Sequence, residues 1–431
     1  MLSFHLVTLF PEFFDSPLST GLMRRAKSAG ILDFSFHNPR DFSNDRHRHI
    51  DDTPYGGGPG MVMRAEPVLA AIESIARPGR ILLMSPVGRP LTQKLARELA
   101  WEEDISIISG RYEGIDARLS RLLPIEPICV CDCVLNGGES AALAVMEGVA
   151  RLVPNFMGKP ESGDEESFNR GLLEYPHYTH PAVISGIAVP PILLSGNHAA
   201  IHDFRRKAAI AATLRHRPDL LDTAPLDRTD CAHLQSLPRE RIGRQLSFCL
   251  HHTPVMLENG RIGSSSLTNL DIHDIARISC SYGLGPFMVV TSLERQRKLL
   301  ENLLYYWQKG PGAKSNPDRK EALDLARAAG SLSEALNCLE KFYGVRPLLV
   351  ASSASWPEHK KSVPPLTAND LRVWLEKRPV MILLGTAHGL CAQTIAECDG
   401  HLRPIRFLGY NHLPVRSAAA ILADRILGDF H

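Results

Sequence analysis

The chain of 431 residues is too long for one ordinary domain and predicts two or three. Its hydrophobic fraction of 44% and charged fraction of 22% are typical of globular domains that each bury a core. Because 48 basic residues balance 47 acidic ones, the net charge is only +1. A protein that grips long duplex nucleic acid is usually more basic, so any contact with nucleic acid must come from local patches.

Neither a membrane segment nor a disulfide framework is expected. No apolar run approaches the roughly 20 residues of a membrane-spanning helix, and Pro11 interrupts an apolar N-terminus that has no basic start. The nine cysteines include no C-x-x-C pair, which argues against structural disulfides and a zinc ribbon. The alternating Cys129, Cys131 and Cys133 are expected as buried thiols on one face of a strand. We therefore expect a cytoplasmic protein without a metal site.

Strands and helices alternate in the first part of the chain. Strands are predicted at 3–10, 31–39, 80–86, 105–110 and 127–135, and helices at 17–29, 65–76, 91–102 and 139–154. The polar, glycine-rich stretch 41–60 is expected to lack regular structure. Such alternation is typical of an α/β domain with a mainly parallel sheet.

The pattern changes after residue 154. Residues 155–171 are polar and acidic and predict a mobile linker, whereas 195–237 are helical and basic. A charged connector at 239–245 leads to a second α/β pattern. It has strands near 248–257, 286–292, 346–352, 379–385 and 402–407, and helices at 293–308 and 415–427.

Glycine-bearing segments follow several predicted strands, at 55–60, 86–88, 110–114 and 136–138. Open α/β sheets bind ligands at the carboxyl ends of their strands, and glycines let the backbone approach a ligand closely. None of the segments matches the dinucleotide fingerprint G-x-G-x-x-G or the phosphate loop G-x-x-x-x-G-K-[ST]. A dinucleotide-dependent oxidoreductase is therefore disfavoured, and a cofactor held by several separate loops is favoured.

The motifs DDTPYGGGPGM, SPVGRPL, SGRYEGID, VLNGGE, RGLLEYPHYTHP and PPILLSGNHAAI resemble the bacterial tRNA (guanine37-N1)-methyltransferases, the TrmD family. The resemblance covers residues 1–238. It implies a SPOUT-type α/β fold with a trefoil knot, a homodimer, S-adenosylmethionine as cofactor, and the anticodon arm of tRNA as substrate, with neither DNA nor membrane as partner. It also raises Mg²⁺ as an aid to methyl transfer, although no dedicated cage is visible.

The same resemblance assigns the cofactor site and the catalytic groups. The cofactor residues are Met84, Ser85, Pro86, Gly110, Tyr112, Glu113, Gly114, Val130, Cys131, Cys133, Leu135, Gly137 and Gly138. Because N1 of guanine carries a proton and charge develops towards O6, the chemistry needs a base and a cation. The resemblance supplies Arg151 as the cation and Glu166 as the base, where the family usually has aspartate. Asp164 is the rival base, and an exposed acidic linker is the ordinary alternative for both carboxylates.

Two regions are expected to contact RNA. The loop 52–60 would hold the target guanine, with Tyr55, Gly56 and Gly57 closest. The basic helical segment would contact phosphates through a set of cationic side chains, Arg205, Arg206, Lys207 and Arg215. A solvated helix face is its alternative. His198 and His202 have the spacing of a zinc pair but lack the glutamate of H-E-x-x-H, so a metalloprotease is disfavoured.

The motifs TNLDIHDIARISCSYG, KSNPDRKEAL, LLGTAHGL and GYNHLPVRSAAAI resemble a separate family of predicted SPOUT RNA methyltransferases. The resemblance implies a second cofactor loop set, Leu384, Gly385, Gly389, Ile405, Asn411 and Leu413. Whether this part catalyses methyl transfer or only binds RNA stays open. The predicted domains are 1–155 (methyltransferase), 156–168 (linker), 169–240 (helical, tRNA-binding) and 247–431 (second SPOUT-like domain). A non-catalytic RNA-binding module is the alternative to an enzyme.

Overall fold

The computed structural model describes residues 1–157, 166–237, 242–354 and 365–428. The chain divides into two compact units, Met1–Gln235 (unit 1) and Ser236–His431 (unit 2). The finer division of unit 1 into a sheet domain and a helical domain stays a prediction, as do its exact boundaries. None of the helices in the described ranges is long and apolar enough to cross a membrane.

The strands of unit 1 form a parallel five-stranded sheet and two small hairpins. They are β1 (Leu2–Val7), β2 (Leu32–His37), β3 (Asp51–Asp52), β4 (Val62–Met63), β5 (Arg80–Pro90), β6 (Asp104–Ile108), β7 (Ile125–Cys129), β8 (Val183–Ile184) and β9 (Ile187–Ala188). The sheet order is β2-β1-β6-β5-β7, and all of its ladders are parallel. The pairs β3–β4 and β8–β9 are antiparallel.

The helices of this part of the chain are α1 (Asp15–Leu18), α2 (Gly21–Ser28), α3 (Ala65–Glu73), α4 (Gln93–Leu99), α5 (Leu119–Leu122), α6 (Glu139–Ala150), α7 (His198–His216) and α8 (Arg228–Ser236). Successive strand residues point to opposite faces of a sheet, so apolar strands build two cores. Leu2, Phe4 and Leu6 pack in one cluster with residues of α2, α4 and α6. Val7 and Ile108 pack in the other with residues of α3. The mainly parallel α/β class is therefore confirmed.

Two local predictions in unit 1 are wrong. The helix predicted at 17–29 is interrupted at Ser19–Thr20 and forms two short helices. The strand predicted at 127–135 ends at Cys129, where its pairing with Pro90 on β5 also ends. Beyond that point the chain leaves the sheet, so Cys131 and Cys133 are exposed in a loop rather than buried on a strand face. Cys129, the last residue of the strand, is only partly buried.

The strands of unit 2 form a parallel seven-stranded sheet and one hairpin. They are β10 (Leu246–His251), β11 (Val255–Met256), β12 (Ile262–Gly263), β13 (Phe287–Val290), β14 (Ala326–Ala329), β15 (Leu348–Ser352), β16 (Pro365–Leu366), β17 (Val380–Gly385) and β18 (Gly400–Leu402). The order is β14-β13-β10-β17-β15-β18-β16. The chain leaves β18 at Leu402, so the strand predicted at 402–407 is largely loop.

The helices of unit 2 are α9 (Asn269–Ser281), α10 (Glu294–Gln308), α11 (Gly312–Ser315), α12 (Pro317–Leu323), α13 (Leu332–Tyr343), α14 (Ala368–Leu375), α15 (Ala392–Ala396) and α16 (Val415–Leu427). Short 3-10 turns occur in both units, at Pro11–Phe14, Pro39–Phe42, Pro191–Leu194, Pro218–Asp222, Ile242–Gln245 and Glu258–Gly260. The central strands β10 and β17 are almost wholly buried, as expected for parallel strands covered on both faces.

The four central strands of the two sheets have the same topology. In unit 1 the four strands β1-β6-β5-β7 lie side by side and α6 follows the last of them. In unit 2 the strands β10-β17-β15-β18 lie in the corresponding order and α16 follows the last. In both units the third of these strands in space precedes the second along the chain. The loops after three equivalent strands are thereby gathered at one edge of each sheet.

Candidate functional sites

The first cavity has a volume of about 260 Å³ and lies in unit 1 at the carboxyl ends of β5, β6 and β7. All thirteen residues predicted to bind the cofactor line it, together with neighbours such as Arg111 and Asn136. This edge of a parallel sheet is where α/β proteins bind ligands. The structure therefore brings the predicted residues together around one cavity.

The first loop of the cavity is an excursion from β5. Met84 and Arg89 both pair with Ile128 on β7, so the four residues Ser85–Gly88 between them leave the ladder. Gly88 returns so close to the β7 backbone that a Cβ there would overlap Ile128. A side chain at this position would push the strands apart, and the loop that carries Pro86 would move with them.

The backbone at Gly137 and Gly138 is packed equally closely. The N–H of Gly138 donates to the carbonyl of Gly110 at 2.9 Å, which joins two loops of the cavity. A Cβ on Gly138 would lie 2.7 Å from the Cα of Ser109, and one on Gly137 would overlap the Arg111 guanidinium. The wall is thus built from backbone groups, which explains why glycines occupy these positions.

A buried ion pair beneath this wall was missed by the sequence analysis. Arg111 Nε lies 2.9 Å from Glu139 Oε2, and the Glu139 carboxylate is about 1% exposed. The hydroxyl of Thr8 donates to the other carboxylate oxygen at 2.9 Å, and the Arg111 guanidinium lies 4.5 Å above the ring of Phe10. Glu139 is in the first turn of α6, where the helix dipole favours a negative charge. This network fixes the loop of Gly110–Gly114 to the start of α6.

The hairpin that carries the predicted guanine loop borders the same cavity, although none of residues 52–60 lines it. It connects β3 to β4, and Tyr55 on it is 99% exposed. The N–H of Glu113 donates to the carbonyl of Met61 at 3.0 Å, and the N–H of Met63 donates to the carbonyl of Gly114 at 2.9 Å. The β3–β4 hairpin is therefore hydrogen-bonded along the glycine loop that follows β6.

The two predicted catalytic groups contact each other. Arg151, at the end of α6, forms an ion pair with Glu166, and both side chains are partly exposed. Neither residue lines the first cavity. Asp164, the rival base, lies outside the described residues.

The predicted RNA-binding cations differ in their surroundings. Arg206 donates to Asp230 at 2.7 Å and to the carbonyl of Pro225 at 2.9 Å, and the hydrogen bond from Arg206 is the main reason why the pKa of Asp230 is lowered. The Arg205 guanidinium lies 4.8 Å above the ring of Tyr175. Arg206 thus has a structural partner, whereas Arg205 presents a cation on an aromatic platform.

The remaining two cations on α7 are less constrained. Lys207 pairs with Asp203 one helical turn earlier, at 2.7 Å, with both side chains about half exposed. Arg215 is exposed near the C-terminal end of α7. Exposed ion pairs of this kind are weak, so Lys207 can exchange its partner for a phosphate at small cost.

The second cavity has a volume of about 460 Å³ and lies in unit 2, at the carboxyl ends of β15, β17 and β18. All six residues predicted for the second cofactor loop set line it. The side-chain amide of Asn411 donates to the carbonyls of Ala354 and Arg406, at 2.8 and 2.9 Å, and so ties two of its loops together. The second cavity occupies the same topological position in unit 2 as the first does in unit 1.

The glycine loops of the two cavities have the same conformation. Gly110–Gly114 (GRYEG) and Gly385–Gly389 (GTAHG) each place a non-glycine residue at a left-handed φ in the third position, Tyr112 at +58° and Ala387 at +53°. The fifth residue is a glycine with φ of +122° and +103°, respectively. In both loops the N–H of the fifth residue donates to the carbonyl of the second, at 3.1 and 2.9 Å.

Metal ligation has little support in the described ranges. No group of three or more histidine, cysteine, aspartate or glutamate side chains there is arranged to hold a metal ion. His198 and His202 both lie on α7, as predicted. The Mg²⁺ ion that the resemblance raises therefore has no all-protein cage in the part of the chain that the structure describes.

Comparisons with known proteins cover nearly the whole chain. Residues 2–223 match the family model described as "tRNA (Guanine-1)-methyltransferase TrmD", and residues 245–428 match one described as "SAM-dependent RNA methyltransferase". The tRNA (guanine-N(1)-)-methyltransferase of Oleidesulfovibrio alaskensis is 53% identical over 427 residues, which is 99% of both chains.

Two further relatives with the same name differ in length. The protein of Nitratidesulfovibrio vulgaris is 53% identical over 98% of this chain and 99% of its own. That of Geobacter metallireducens is 48% identical over 239 residues, 55% of this chain and 98% of its own. The second part of this chain is thus shared with the two longer relatives. The Geobacter protein matches little more than half of the whole chain.

Proposed function

We propose that this protein methylates the guanine immediately 3′ of the anticodon, position 37, with Glu166 as the base and Arg151 as the stabilising cation. The premise is that the chain belongs to the TrmD family and is an S-adenosylmethionine-dependent tRNA (guanine-N1)-methyltransferase. The observation that carries this assignment is the ion pair between Arg151 and Glu166, which joins the two groups that the chemistry requires.

S-adenosylmethionine fits the first cavity. Four glycines line it, Gly110, Gly114, Gly137 and Gly138, and they present backbone rather than side-chain atoms to the space. Such a wall suits the adenine, ribose and amino-acid parts of the cofactor, which present many hydrogen-bonding atoms. When bound, the cofactor supplies a methyl group already activated by its sulfonium charge.

The protein's own groups then perform the proton chemistry. The Glu166 carboxylate takes the proton from N1 of the guanine, and Arg151 stabilises the negative charge that develops at O6. Before the substrate binds, the ion pair holds the carboxylate near the guanidinium. Glutamate in place of aspartate lengthens the side chain by one methylene and extends its reach.

The positions of these groups support a homodimer. Arg151 lies thirteen residues after Gly138, one at each end of α6, and a rise of 1.5 Å per residue separates them by about 20 Å. This distance is longer than the side chains of Arg151 and Glu166 can span to reach the cavity of their own subunit. The two residues of one subunit would therefore serve the cofactor bound by the partner subunit.

Binding of tRNA is assigned to two surfaces. Tyr55, exposed on the β3–β4 loop, offers a stacking surface for the guanine or its neighbour. Arg205, Lys207 and Arg215 are assigned to the phosphates of the anticodon arm. Arg206 is expected to contribute mainly through its contact with Asp230.

Single-turnover methylation of tRNA tests the catalytic assignment. Arg151→Ala and Glu166→Gln should lower the rate of N1-methylguanosine formation by roughly 10²-fold or more, the usual size of a general-base or charge-stabilising contribution. Asp164→Asn, which alters the rival carboxylate, and Glu147→Gln, which alters an exposed carboxylate on α6, are the matched controls. A normal rate in Glu166→Gln with a loss in Asp164→Asn would transfer the role of base to Asp164. A tRNA with adenine at position 37 should receive no methyl group at that position.

We also assign S-adenosylmethionine binding to the second cavity. Its support is the five-residue glycine loop Gly385–Gly389, which repeats the conformation of Gly110–Gly114 at the same topological position. A Cβ on Gly385 would lie 2.6 Å from the backbone nitrogen of Leu390, so Gly385→Val should close this site. Titration calorimetry should find two equivalents of cofactor per chain, and one in Gly385→Val or in Gly138→Val.

A further inference from the structure

The hairpin of unit 2, residues 253–266 around β11 and β12, lies along the glycine loop of the second cavity. The N–H of His388 donates to the carbonyl of Met256 at 3.0 Å. The N–H of Met256 donates to the carbonyl of Gly389 at 2.9 Å, and Val255 forms a bridge with Leu390. We call residues 253–266 the acceptor hairpin.

Unit 1 has the same contacts at the equivalent loop positions. There, the N–H of the fourth loop residue, Glu113, donates to the hairpin residue Met61, and the carbonyl of the fifth, Gly114, accepts from the hairpin residue Met63. The residue after the loop, Ile115, forms a bridge with Met63. The fourth and fifth residues of the loop in unit 2, His388 and Gly389, make the corresponding bonds.

The two hairpins reach this place by different routes. In unit 1 the hairpin follows β2, whereas in unit 2 it follows β10, which corresponds to β1. The bridge is parallel in unit 1 and antiparallel in unit 2. A common topology alone would not place a hairpin beside both glycine loops, because the two hairpins are inserted after different strands. What is common is the placement of a hairpin beside the cofactor loop.

Side chains fix the acceptor hairpin to the loop. Thr386 donates its hydroxyl to the carbonyl of His251 at 3.0 Å. Ser265 must then donate to Thr386, at 2.5 Å, and accept from His252 Nδ1 at 2.9 Å. Burial lowers the pKa of His252 to about 4, so the imidazole is neutral and can carry its proton on Nδ1 as this chain requires. The base of the hairpin is therefore held in one position.

The outer part of the hairpin is exposed and polar. Glu258 and Arg261 are exposed near its tip, and the hydroxyls of Thr253, Ser264 and Ser292 form a partly exposed group at its base. Carboxylate and guanidinium groups recognise base edges, and hydroxyls recognise ribose and phosphate oxygens. The exposed imidazole of His388 lines the second cavity and stands where Glu113 stands in unit 1.

The family model that matches residues 245–428 describes an S-adenosylmethionine-dependent RNA methyltransferase. For methyl transfer at the second cavity, we propose that the acceptor hairpin holds the RNA nucleotide and that His388 takes the proton of the methylated atom. This rests on the proposed binding of S-adenosylmethionine in that cavity. The bond between sulfur and methyl carbon breaks while the bond from methyl carbon to the acceptor nitrogen or oxygen forms. The acceptor's proton passes to the His388 imidazole, and S-adenosylhomocysteine leaves.

The test uses the full chain carrying Arg151→Ala, which silences unit 1, and radiolabelled S-adenosylmethionine with bulk RNA from cells lacking this protein. We expect methyl incorporation that is not N1-methylguanosine. In this background Arg261→Glu should raise KM for RNA by about ten-fold, and His388→Gln should lower kcat by roughly 10²-fold. Arg295→Glu, the same charge reversal on the exposed surface of α10, is the control and should match the parent.

Cofactor stoichiometry separates the possible failures. Arg261→Glu should still bind two equivalents of S-adenosylmethionine, which also shows that it is folded. No incorporation into any RNA by a chain that binds two equivalents would overturn the proposed methyl transfer at the second cavity. Unchanged kinetics in Arg261→Glu would overturn the role of the hairpin. Binding of only one equivalent by the parent chain would instead refute the proposed cofactor site on which the inference rests.

Discussion

Two inactive variants should restore each other's activity if the catalytic groups and the cofactor pocket come from different subunits. Gly138→Val damages only the first cavity, because its side chain would meet the backbone of Ser109 and Gly110. Arg151→Ala removes only the cation at the other end of α6. Each variant alone should therefore form N1-methylguanosine at a small fraction of the normal rate.

The expected recovery follows from the symmetry of a dimer. When the two variants are unfolded together and refolded at equal concentration, about half of the dimers contain one chain of each kind. Each mixed dimer has one intact site of its two, so about a quarter of the normal activity should return. The physical basis is the separation of about 20 Å along α6, which the Arg151 side chain cannot span within one subunit.

The assay is the initial rate of N1-methylguanosine formation on tRNA, at a fixed total concentration of chain. The matched control mixes Arg151→Ala with Glu166→Gln. Because these residues form one ion pair, both defects lie on the same side of the composite site and no mixed dimer is intact. A mixture of Gly138→Val and Arg151→Ala that stays inactive, while both variants are dimeric and folded, would refute the shared site.

Two further predictions concern unit 1. Cys131 and Cys133 are exposed and line the first cavity, so S-adenosylmethionine should protect both thiols from alkylation. The exposed Cys231 should react equally with and without the cofactor. The measurement is mass spectrometry of the labelled peptides, and absence of protection would contradict the assignment of the pocket. Asp230→Asn should cost about 2 kcal/mol of unfolding free energy at pH 7, since it weakens a hydrogen-bonded ion pair with Arg206. The pKa of Asp230 in the folded protein is lowered from 3.8, so the stabilisation is complete above pH 3.8 and is lost as the pH falls through the lower folded pKa. Urea unfolding of the parent and of Asp230→Asn should show that their difference in unfolding free energy is smaller in acid than at pH 7. An equal difference at the two pH values would disprove the linkage.

Local patterns were enough to predict much of the fold. The helix predicted at 415–427 is α16, with the same bounds, because apolar spacing along one helix face is a property of neighbouring residues. The buried strands β6 and β17 were equally recognisable from short apolar runs followed by glycine. The glycine loops were predicted at the right edge of the sheet because the carboxyl ends of parallel strands share one edge.

Contacts between distant residues required the tertiary structure. The partner of Arg111 is Glu139, brought to it by the loops that follow β6 and β7, and the partner of Arg206 is Asp230, which lies on the next helix. Neither pairing leaves a periodic signal. Cys131 was predicted as buried because alternation continues past the end of β7, and only the end of the pairing with β5 shows that the strand stops.

The amino-acid sequence by itself determined the α/β class, the family of the first part of the chain and the loops that surround each cavity, because these depend on local periodicity and on contiguous motifs. Only the tertiary structure decided that GRYEG and GTAHG are the same loop, since the two share glycines at both ends and little else. It also decided that a hairpin lies beside each loop, because the order of strands in a sheet brings together segments that are far apart in the chain and differently placed in each unit.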